Sequence, residues 1–152
     1  MSSRSYALRL LKTRLRSAWE LRQALLRREV PADEVEELIR ELTEVDLVND
    51  LRFAKAWIAT RDRLSPRGIN VLRVELAQKG IDKATMHRAL SLREEERLEE
   101  EGMGEEARAR LVMSRKERQY QHLPPDVYKR RMAGVLLRRG FPTDLVMRIL
   151  KP

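Results

Sequence analysis

The hydrophobic residues of this 152-residue chain recur three and four positions apart along most of its length. In the stretch "PADEVEELIRELT", Val35, Leu38, Ile39 and Leu42 fall at positions i, i+3, i+4 and i+7. This spacing places them on one face of an α-helix, whereas a half-buried strand would alternate polar and apolar residues. The pattern predicts an all-α protein.

One phrase of this pattern occurs three times, as "RREVPADEVEELI", "QKGIDKATMHRAL" and "RRGFPTDLVMRIL". Aligning the copies on Glu29, Gly80 and Gly140 separates them by 51 and then 60 residues. Six apolar trios coincide: Leu21/Leu72/Met132, Leu25/Leu76/Leu136, Val30/Ile81/Phe141, Val35/Met86/Val146, Leu38/Ala89/Ile149 and Ile39/Leu90/Leu150. Such recurrence is typical of repeat proteins. We therefore predict three tandem three-helix bundles, with about nine helices in an elongated chain: repeats 1–48, 49–100 and 105–152, and a linker at 101–104.

Capping signals predict the ends of the first helices. The first helix is expected at about residues 5–14. Ser17, with Glu20 three residues later, forms a capping box for the second, which should end near Arg28. Pro31 and the two residues after it open the third. Asn49 or the following aspartate should cap the fourth.

Proline and glycine mark the later boundaries. Ser65 is predicted to cap the fifth helix, with Pro66 at its first position, and Gly80 to end it in a left-handed conformation. The sixth helix should begin near residue 83 and continue into the acidic segment, where Gly102 and Gly104 interrupt it. Helices should follow at 105–119 and from "LPPD", and Gly140 should end the eighth. Thr143 or Asp144 is predicted to cap the last.

The charge alternates in blocks along the chain. Charged residues make up 37% and the net charge is +8, against roughly 25% charged residues in an average domain. Segments 1–30, 51–80 and 107–139 carry eight, seven and ten basic residues against two acidic ones each. Segments 31–50 and 91–106 each carry eight acidic residues. Clustered positive charge favours a polyanionic partner.

The candidate partner-binding residues are basic side chains that recur on the first and second helices of each repeat. We select Arg14, Arg16, Arg22, Arg61, Arg63, Arg67, Arg73, Lys79, Lys129, Arg130, Arg131, Arg138 and Arg139, and Arg27, Arg28, Arg115, Lys116 and Arg118 belong to the same blocks. For any single residue the simpler interpretation is surface solubility, with pairing to the acidic blocks. Their recurrence in all three repeats favours binding.

The sequence shows no motif typical of a catalytic or metal-binding site. The chain has no cysteine, and its two histidines, His87 and His122, have no partner at metal-ligand spacing. "GMGEE" lacks the lysine and the preceding strand of a phosphate loop. We predict a protein that is not an enzyme and has no cofactor. The aromatic residues Trp19, Phe53, Trp57 and Phe141 are expected in the core rather than stacked on bases.

Nothing in the sequence predicts a membrane or export signal. The first twelve residues carry Arg9 and Lys12 where a signal peptide needs apolar residues. No stretch approaches the ~20 apolar residues of a membrane span. We expect a soluble, cytoplasmic protein, most simply a monomer.

Four segments together carry a family resemblance: "LLKTRLRSAWELRQALLRR", "VNDLRFAKAWIATR", "GINVLRVELAQKGI" and the closing "LLRRGF". In this order and spacing they resemble the RecX family, bacterial regulators of the RecA recombinase. The resemblance spans essentially the whole chain. It implies tandem three-helix units that bind RecA filaments on single-stranded DNA, within the filament groove, and impede extension, strand exchange and ATP hydrolysis. DNA repair, recombination and the SOS response are the implied setting. Glu29 departs from the glycine of the other repeats, so we expect the first turn to be built differently.

The alternative function is direct DNA binding without a recombinase. Each copy of the repeated phrase resembles a helix, a tight turn and a second helix. In the first copy, however, four acidic residues from Asp33 to Glu37 would repel phosphate. Sequence-specific recognition of single- or double-stranded DNA is therefore disfavoured, whereas nonspecific binding through the basic residues remains open.

Overall fold

A computed structural model describes residues 1–99 and 104–151 of the chain, and within them it contains nine α-helices and no strand. The all-α prediction is confirmed. The helices are α1 Ser3–Thr13, α2 Ala18–Arg27, α3 Ala32–Glu44, α4 Asp50–Leu64, α5 Ile69–Gln78, α6 Lys83–Glu99, α7 Glu105–Tyr120, α8 Pro125–Arg138 and α9 Thr143–Ile149. The predicted interruption at Gly102 lies outside the described residues, and Gly104 is the N-cap of α7.

The chain divides into two compact units that do not follow the helix order. Unit 1 comprises Met1–Ala56 and Leu76–Ala89, and unit 2 comprises Trp57–Glu75 and Leu90–Pro152. Helices α4, α5 and α6 each contribute residues to both units. The predicted repeat boundaries at residues 48, 100 and 105 stay a prediction, and each unit is described by itself below.

The aligned apolar positions form the cores. Of the eighteen residues in the six trios, sixteen are buried, while Val30 and Leu150 are partly buried. In unit 1 a core cluster joins Ala7 of α1 to residues of α2 and α3, and in unit 2 a second cluster joins Ala109 of α7 to residues of α8 and α9. The helical periodicity thus identified the buried faces of the repeats.

The three repeated turns share one backbone geometry. Gly80 and Gly140 have φ angles of 76° and 92°, and Glu29 has a φ of 62°. In each turn the next N–H donates to a carbonyl five residues back: from Val30, Ile81 and Phe141, at 3.2, 3.1 and 3.2 Å. These bonds satisfy helix-terminal carbonyls. The expectation that Glu29 changes the turn is therefore wrong, since its backbone adopts the left-handed conformation despite the side chain.

The caps in the first half agree with the sequence and two later ones do not. Ser17 and Glu20 form the complete capping box, and Asn49 Oδ1 accepts the N–H of Arg52 at 2.9 Å. The α1 helix begins earlier than predicted, because Ser2 caps it. In contrast, α9 has Pro142 at its N-cap and no side-chain cap, so neither Thr143 nor Asp144 has that role.

The segment "SPRG" does not open α5. The helix starts at Ile69, and residues 65–68 form an irregular loop before it. The Ser65 hydroxyl is within hydrogen-bonding distance of the Arg139 guanidinium instead of capping a helix. The predicted roles of Ser65 and Pro66 are thus wrong, and the physical reason is a long-range contact of this loop described next.

Candidate functional site

Two of the thirteen selected basic residues pair with Glu20 of the α2 capping box. The Glu20 side chain is only 8% exposed, and its carboxylate pairs with Arg14 at 2.9 Å and with Lys79 at 3.1 Å. Burial alone would raise the pKa of Glu20, but hydrogen bonds from Arg14 and Lys79 bring that pKa below its usual 4.5. Arg14 and Lys79 thus compensate a buried carboxylate, and their predicted role in partner binding stays a prediction.

Two more of the selected arginines are neutralised within their own unit. Arg22 donates two hydrogen bonds to Glu36, at 2.5 and 3.1 Å, in unit 1. In unit 2, Arg61 pairs with Glu75 at 2.5 Å and lies 5.0 Å from the centre of the Trp57 ring. Their charges are already matched, so the structure does not favour them as the main contacts to a partner.

The other nine selected residues have no carboxylate within 4.0 Å among the described residues. They are Arg16, Arg63, Arg67, Arg73, Lys129, Arg130, Arg131, Arg138 and Arg139. Arg16 belongs to unit 1 and the other eight belong to unit 2. The unmatched positive charge of the predicted set is therefore concentrated in unit 2, which sequence spacing did not indicate.

A junction between two loops of unit 2 positions part of this charge. The Gly68 N–H donates to the Arg139 carbonyl at 2.7 Å, and the Asn70 N–H donates to the Gly140 carbonyl at 3.1 Å. A Cβ on Gly68 would lie 2.2 Å from the Gly140 carbonyl carbon, so the backbones meet without room for a side chain. The loop that carries Arg67 is therefore held against the end of α8.

Arg67 and Arg139 lie at this junction, and the positive charge of Arg115 in α7 acts on Arg139. Arg139 is partly buried, and its pKa is lowered by burial and then by the positive charges of Arg67 and Arg115. The Arg139 guanidinium bonds to the Ser65 hydroxyl, whereas no carboxylate of the described residues pairs with any of the three. We refer to Arg67, Arg115 and Arg139 as the arginine cluster.

One flank of α8 continues the positive surface beside the arginine cluster. Arg131 and Arg138 are exposed and seven residues apart, which places them on the same helix face. Gly134 lies between them, and a Cβ there would be 3.0 Å from Arg138 Nη1. The missing side chain at Gly134 leaves space for the Arg138 guanidinium to lie along the helix.

A buried ion network in unit 2 holds the loop at residues 65–68, and sequence reasoning missed this network. Arg93 and Arg108 have side chains only 4% and 1% exposed. Arg93 pairs with Asp62 at 2.7 Å and Arg108 with Glu94 at 2.6 Å. Glu105 lies 3.7 Å from Arg93 and 3.6 Å from Arg108. Buried charges are rare unless paired, and a run of charges in sequence gives no sign of which ones are buried.

The network also fixes the backbone from the Arg67 carbonyl to the Ile69 N–H. Arg93 Nη2 donates to the Arg67 carbonyl at 3.2 Å, and Glu105 Oε1 accepts the Ile69 N–H at 2.9 Å. Helices α4, α6 and α7 therefore all contribute to holding the loop of the arginine cluster. Packing and hydrogen bonds of this kind are what preorganise a binding site.

The remaining sequence predictions concern histidine and aromatic residues. His87 and His122 are exposed. Phe53 and Phe141 are buried in the core as predicted and Trp57 is partly buried, whereas Trp19 is 40% exposed, so its predicted core position is wrong. Trp19 nonetheless packs against Gly80 within unit 1. Among the described residues there is no group of three or more side chains suited to hold a metal ion. No helix in this part of the chain combines the length and apolarity needed to cross a membrane.

Sequence comparison identifies the family to which these repeats belong. Profiles of RecX match the chain in order: its first three-helix domain at residues 4–42, its second at 49–90 and its third at 104–150. The Regulatory protein RecX of Streptomyces coelicolor is 34% identical over 149 residues, which cover 98% of this chain and 76% of the relative. That of Thermobifida fusca is 32% identical over 152 residues, covering 98% and 77%.

Structural comparison agrees at the level of the fold. The crystal structure of RecX from Lactobacillus salivarius matches with a TM-score of 0.83 at 24% identity, over 97% of this chain and 92% of the other. A crystal structure of another regulatory protein RecX gives a TM-score of 0.81 at 20% identity, over 97% and 69%. The three matched domains and the identity above 30% across nearly the whole chain show that this protein belongs to the RecX family of regulatory proteins.

Proposed function

We propose that this protein binds filaments of the RecA recombinase on single-stranded DNA and inhibits their activity in recombination and repair. The observation that carries the proposal is membership of a family whose curated relatives are named regulatory proteins. No cofactor or catalytic step is needed for such a role. We further propose that it acts as a cytoplasmic monomer and takes part in the SOS response.

The repeated architecture supports binding to a periodic partner. Three domains with the same turn and the same buried positions present related surfaces at intervals along one chain. Weak contacts that are linked in one chain gain from effective concentration. A filament of identical subunits offers the matching series of sites.

The unpaired arginines support contact with a polyanion. Exposed Arg130, Arg131 and Arg138 of α8 have no carboxylate partner among the described residues, so binding would not first require breaking an internal ion pair. The same feature favours the second candidate function, direct nonspecific DNA binding. Phosphate contacts would make such binding strongly salt-dependent.

Fluorescence anisotropy distinguishes the two functions. The protein is titrated against labelled single-stranded DNA, bare or coated with RecA and a nonhydrolysable nucleotide, over a series of salt concentrations. We expect tighter binding to the coated DNA, together with reduced ATP hydrolysis by RecA. Equal or tighter binding to bare DNA, with a steep loss as salt rises, would contradict filament regulation and favour direct DNA binding.

Charge reversal tests whether α8 contacts the filament. The original candidate set for reversal is Arg130, Arg131, Arg138 and Arg139. Because Arg139 also bonds to Ser65, the cleaner variant changes only the first three to Glu. We expect weaker inhibition of RecA with unchanged helicity. Reversing the exposed unit 1 residues Lys12, Lys83 and Arg88 is the matched control, and equal effects of the two triple variants would remove α8 from the mechanism.

A further inference from the structure

One face of α8 combines a bare stretch of backbone, an exposed leucine and three arginines. At 100° per residue, the positions i, i+1, i+4, i+7 and i+8 share a face about 120° wide. In α8 these positions are Arg130, Arg131, Gly134, Leu137 and Arg138, and Gly134 lies at the centre. The three arginines and Leu137 are exposed. We refer to these five residues as the α8 face.

The fold gives no reason for a glycine at position 134. Glycine in the interior of a helix is less stable than alanine. Gly134 lies inside α8 and does not share the positive φ of Gly80 and Gly140. The three atoms nearest to a Cβ at this position all belong to the Arg138 guanidinium, the closest at 3.0 Å, so a small movement of that flexible side chain would accommodate alanine. The missing side chain instead leaves the backbone open to close approach from outside.

Leu137 lies beside this bare backbone. The preceding Leu136 is fully buried in the core of unit 2, whereas Leu137 is 44% exposed. A single exposed leucine is ordinary on a protein surface, but this one is three residues from Gly134 and therefore on the same side of the helix. Gly134 and Leu137 together form an apolar strip, with Arg131 and Arg138 along one side of it.

The charge of the α8 face is not matched within the described part of the chain. Arg130, Arg131 and Arg138 have no carboxylate there within 4.0 Å. Asp126, in the first turn, is the single acidic residue in the sequence of α8. A guanidinium presents a fork of N–H donors that matches a carboxylate or a phosphate. The arginines therefore favour an acidic partner but do not distinguish a protein from a nucleic acid.

The apolar strip makes that distinction. Contacts to a nucleic acid backbone come from charged and polar side chains and from N–H groups, so Leu137 and Gly134 would add little to them. Interfaces between proteins have an apolar core and are enriched in arginine. We propose that the α8 face docks a protein surface with an apolar centre and carboxylates around it. The inference deepens the proposed function and rests on it, because there the docked protein is a subunit of the RecA filament rather than its DNA.

The substitution Gly134→Ala tests the close approach. Alanine favours the helix, so the unfolding temperature should rise by about 1–4 °C. The added methyl group should weaken binding to RecA-coated DNA about tenfold, because it overpacks the interface. Ser114→Ala on the exposed surface of α7 also favours a helix and should leave the affinity unchanged. A lower unfolding temperature for Gly134→Ala, or an unchanged affinity, would overturn the proposal.

The substitution Leu137→Gln tests the apolar contact. Glutamine keeps the length of the side chain and is a good helix former. We expect binding to RecA-coated DNA to weaken about fivefold to tenfold, since a leucine no longer becomes buried, and binding to bare DNA to stay the same. The matched control is Leu64→Gln, at the end of α4 in the same unit, where the leucine is 65% exposed. Equal losses in the two variants would overturn the docking site.

A nucleic acid strand is the competing occupant, and the triple variant Arg130→Gln/Arg131→Gln/Arg138→Gln tests it. Anisotropy with labelled oligodeoxythymidylate, bare or coated with RecA, is measured across a salt series. If the face binds the strand, the slope of log K against log salt on bare DNA falls by about 2, from ~0.7 for each of three lost contacts. That result, together with no effect of Leu137→Gln on coated DNA, would overturn the protein assignment.

Failure of the proposed function has a different signature. The wild type itself would then bind coated DNA no more tightly than bare DNA, and that result would overturn both proposals. Tighter binding of the wild type to coated DNA, with no loss in Gly134→Ala or Leu137→Gln, would leave the proposed function intact and overturn the α8 face alone.

Discussion

Substitutions at Glu29 and Gly80 should shift the stability of unit 1 in opposite directions. The two residues occupy the same position of a repeated turn, with φ angles of 62° and 76°. Both lie in unit 1, so one scaffold reports both changes. Glu29 is exposed, whereas a Cβ on Gly80 would lie 2.2 Å from the Cβ of Trp19 and 2.5 Å from its Cγ.

The structure sets the size of each effect. A residue other than glycine in the left-handed region costs roughly 1–2 kcal/mol, and replacing it with glycine raises the entropy of the unfolded chain by about 0.4–1 kcal/mol. Glu29→Gly should therefore stabilise the unit by ~0.5–1 kcal/mol. Gly80→Ala introduces the left-handed backbone strain that Glu29→Gly removes. It also overpacks the new Cβ against Trp19, which typically costs ~1–3 kcal/mol. We expect a net loss of about 2–4 kcal/mol.

Guanidinium chloride unfolding followed by circular dichroism measures both variants. The comparison uses midpoints at unchanged m-value, because a changed m-value would mean that the two-state assumption has failed. The midpoint should rise for Glu29→Gly and fall for Gly80→Ala. Arg88→Gln, a substitution of an exposed residue within α6 in the same unit, is the control and should have little effect. Destabilisation by Glu29→Gly would refute the reasoning from backbone strain.

Three further predictions concern buried groups, each measured by the free energy of unfolding. Leu76→Ala should cost roughly 2–5 kcal/mol because Leu76 is fully buried, and retained stability would contradict the repeat alignment. Arg108→Met should cost about 1–3 kcal/mol, since it leaves the partly buried Asp62 and Glu105 with one cationic partner fewer; a neutral result would show that the network adds nothing. The paired Glu20 carboxylate, with its pKa below 4.5, should stabilise the fold above that pH and lose this contribution as the pH falls through the lowered value. Glu20→Gln should therefore be costly at pH 7 and less costly as the pH falls through the lowered value, and a difference from the wild type that does not change with pH would contradict the pairing.

The features predicted correctly from sequence are those that depend on nearby residues. The spacing of Leu21 and Leu25, repeated twice, identified buried helix faces because helical geometry alone determines which residues share a face. The capping box of Ser17 spans only three residues, and Gly80 ends its helix through its own φ angle. Such signals need no knowledge of the tertiary structure.

The incorrect predictions involve contacts between distant residues. Ser65 and Pro66 carry strong signals for a helix start, yet the loop they begin is held by bonds from Gly68 and Asn70 to the end of α8. These partners lie about seventy residues away along the chain, and no local pattern reveals them. At Glu29 the repeated hydrogen bonding of the turn outweighed the preference of the left-handed region for glycine.

The candidate site shows the same division between local and tertiary information. Sequence located the basic blocks, but whether an arginine is available to a partner depends on the nearest carboxylate in space. Arg22 is matched by Glu36 of the next helix, while Arg139 is left beside other arginines. The charge blocks of the sequence thus do not show that the selected basic residues without a carboxylate partner among the described residues lie mainly in unit 2.

Repetition explains why the charges were free to diverge among the repeats. The buried trios and the turns are constrained by packing, so substitutions there alter the fold. Exposed positions on the same helices carry no such packing constraint. A single carboxylate can pair with an arginine within the fold, as Glu20 pairs with Arg14. Under the proposed function, the affinity for a polyanion should therefore depend on which arginines lack a carboxylate partner. We expect mutagenesis of Arg130, Arg131 and Arg138, which are exposed on α8 and have no such partner among the described residues, to be the most informative first step.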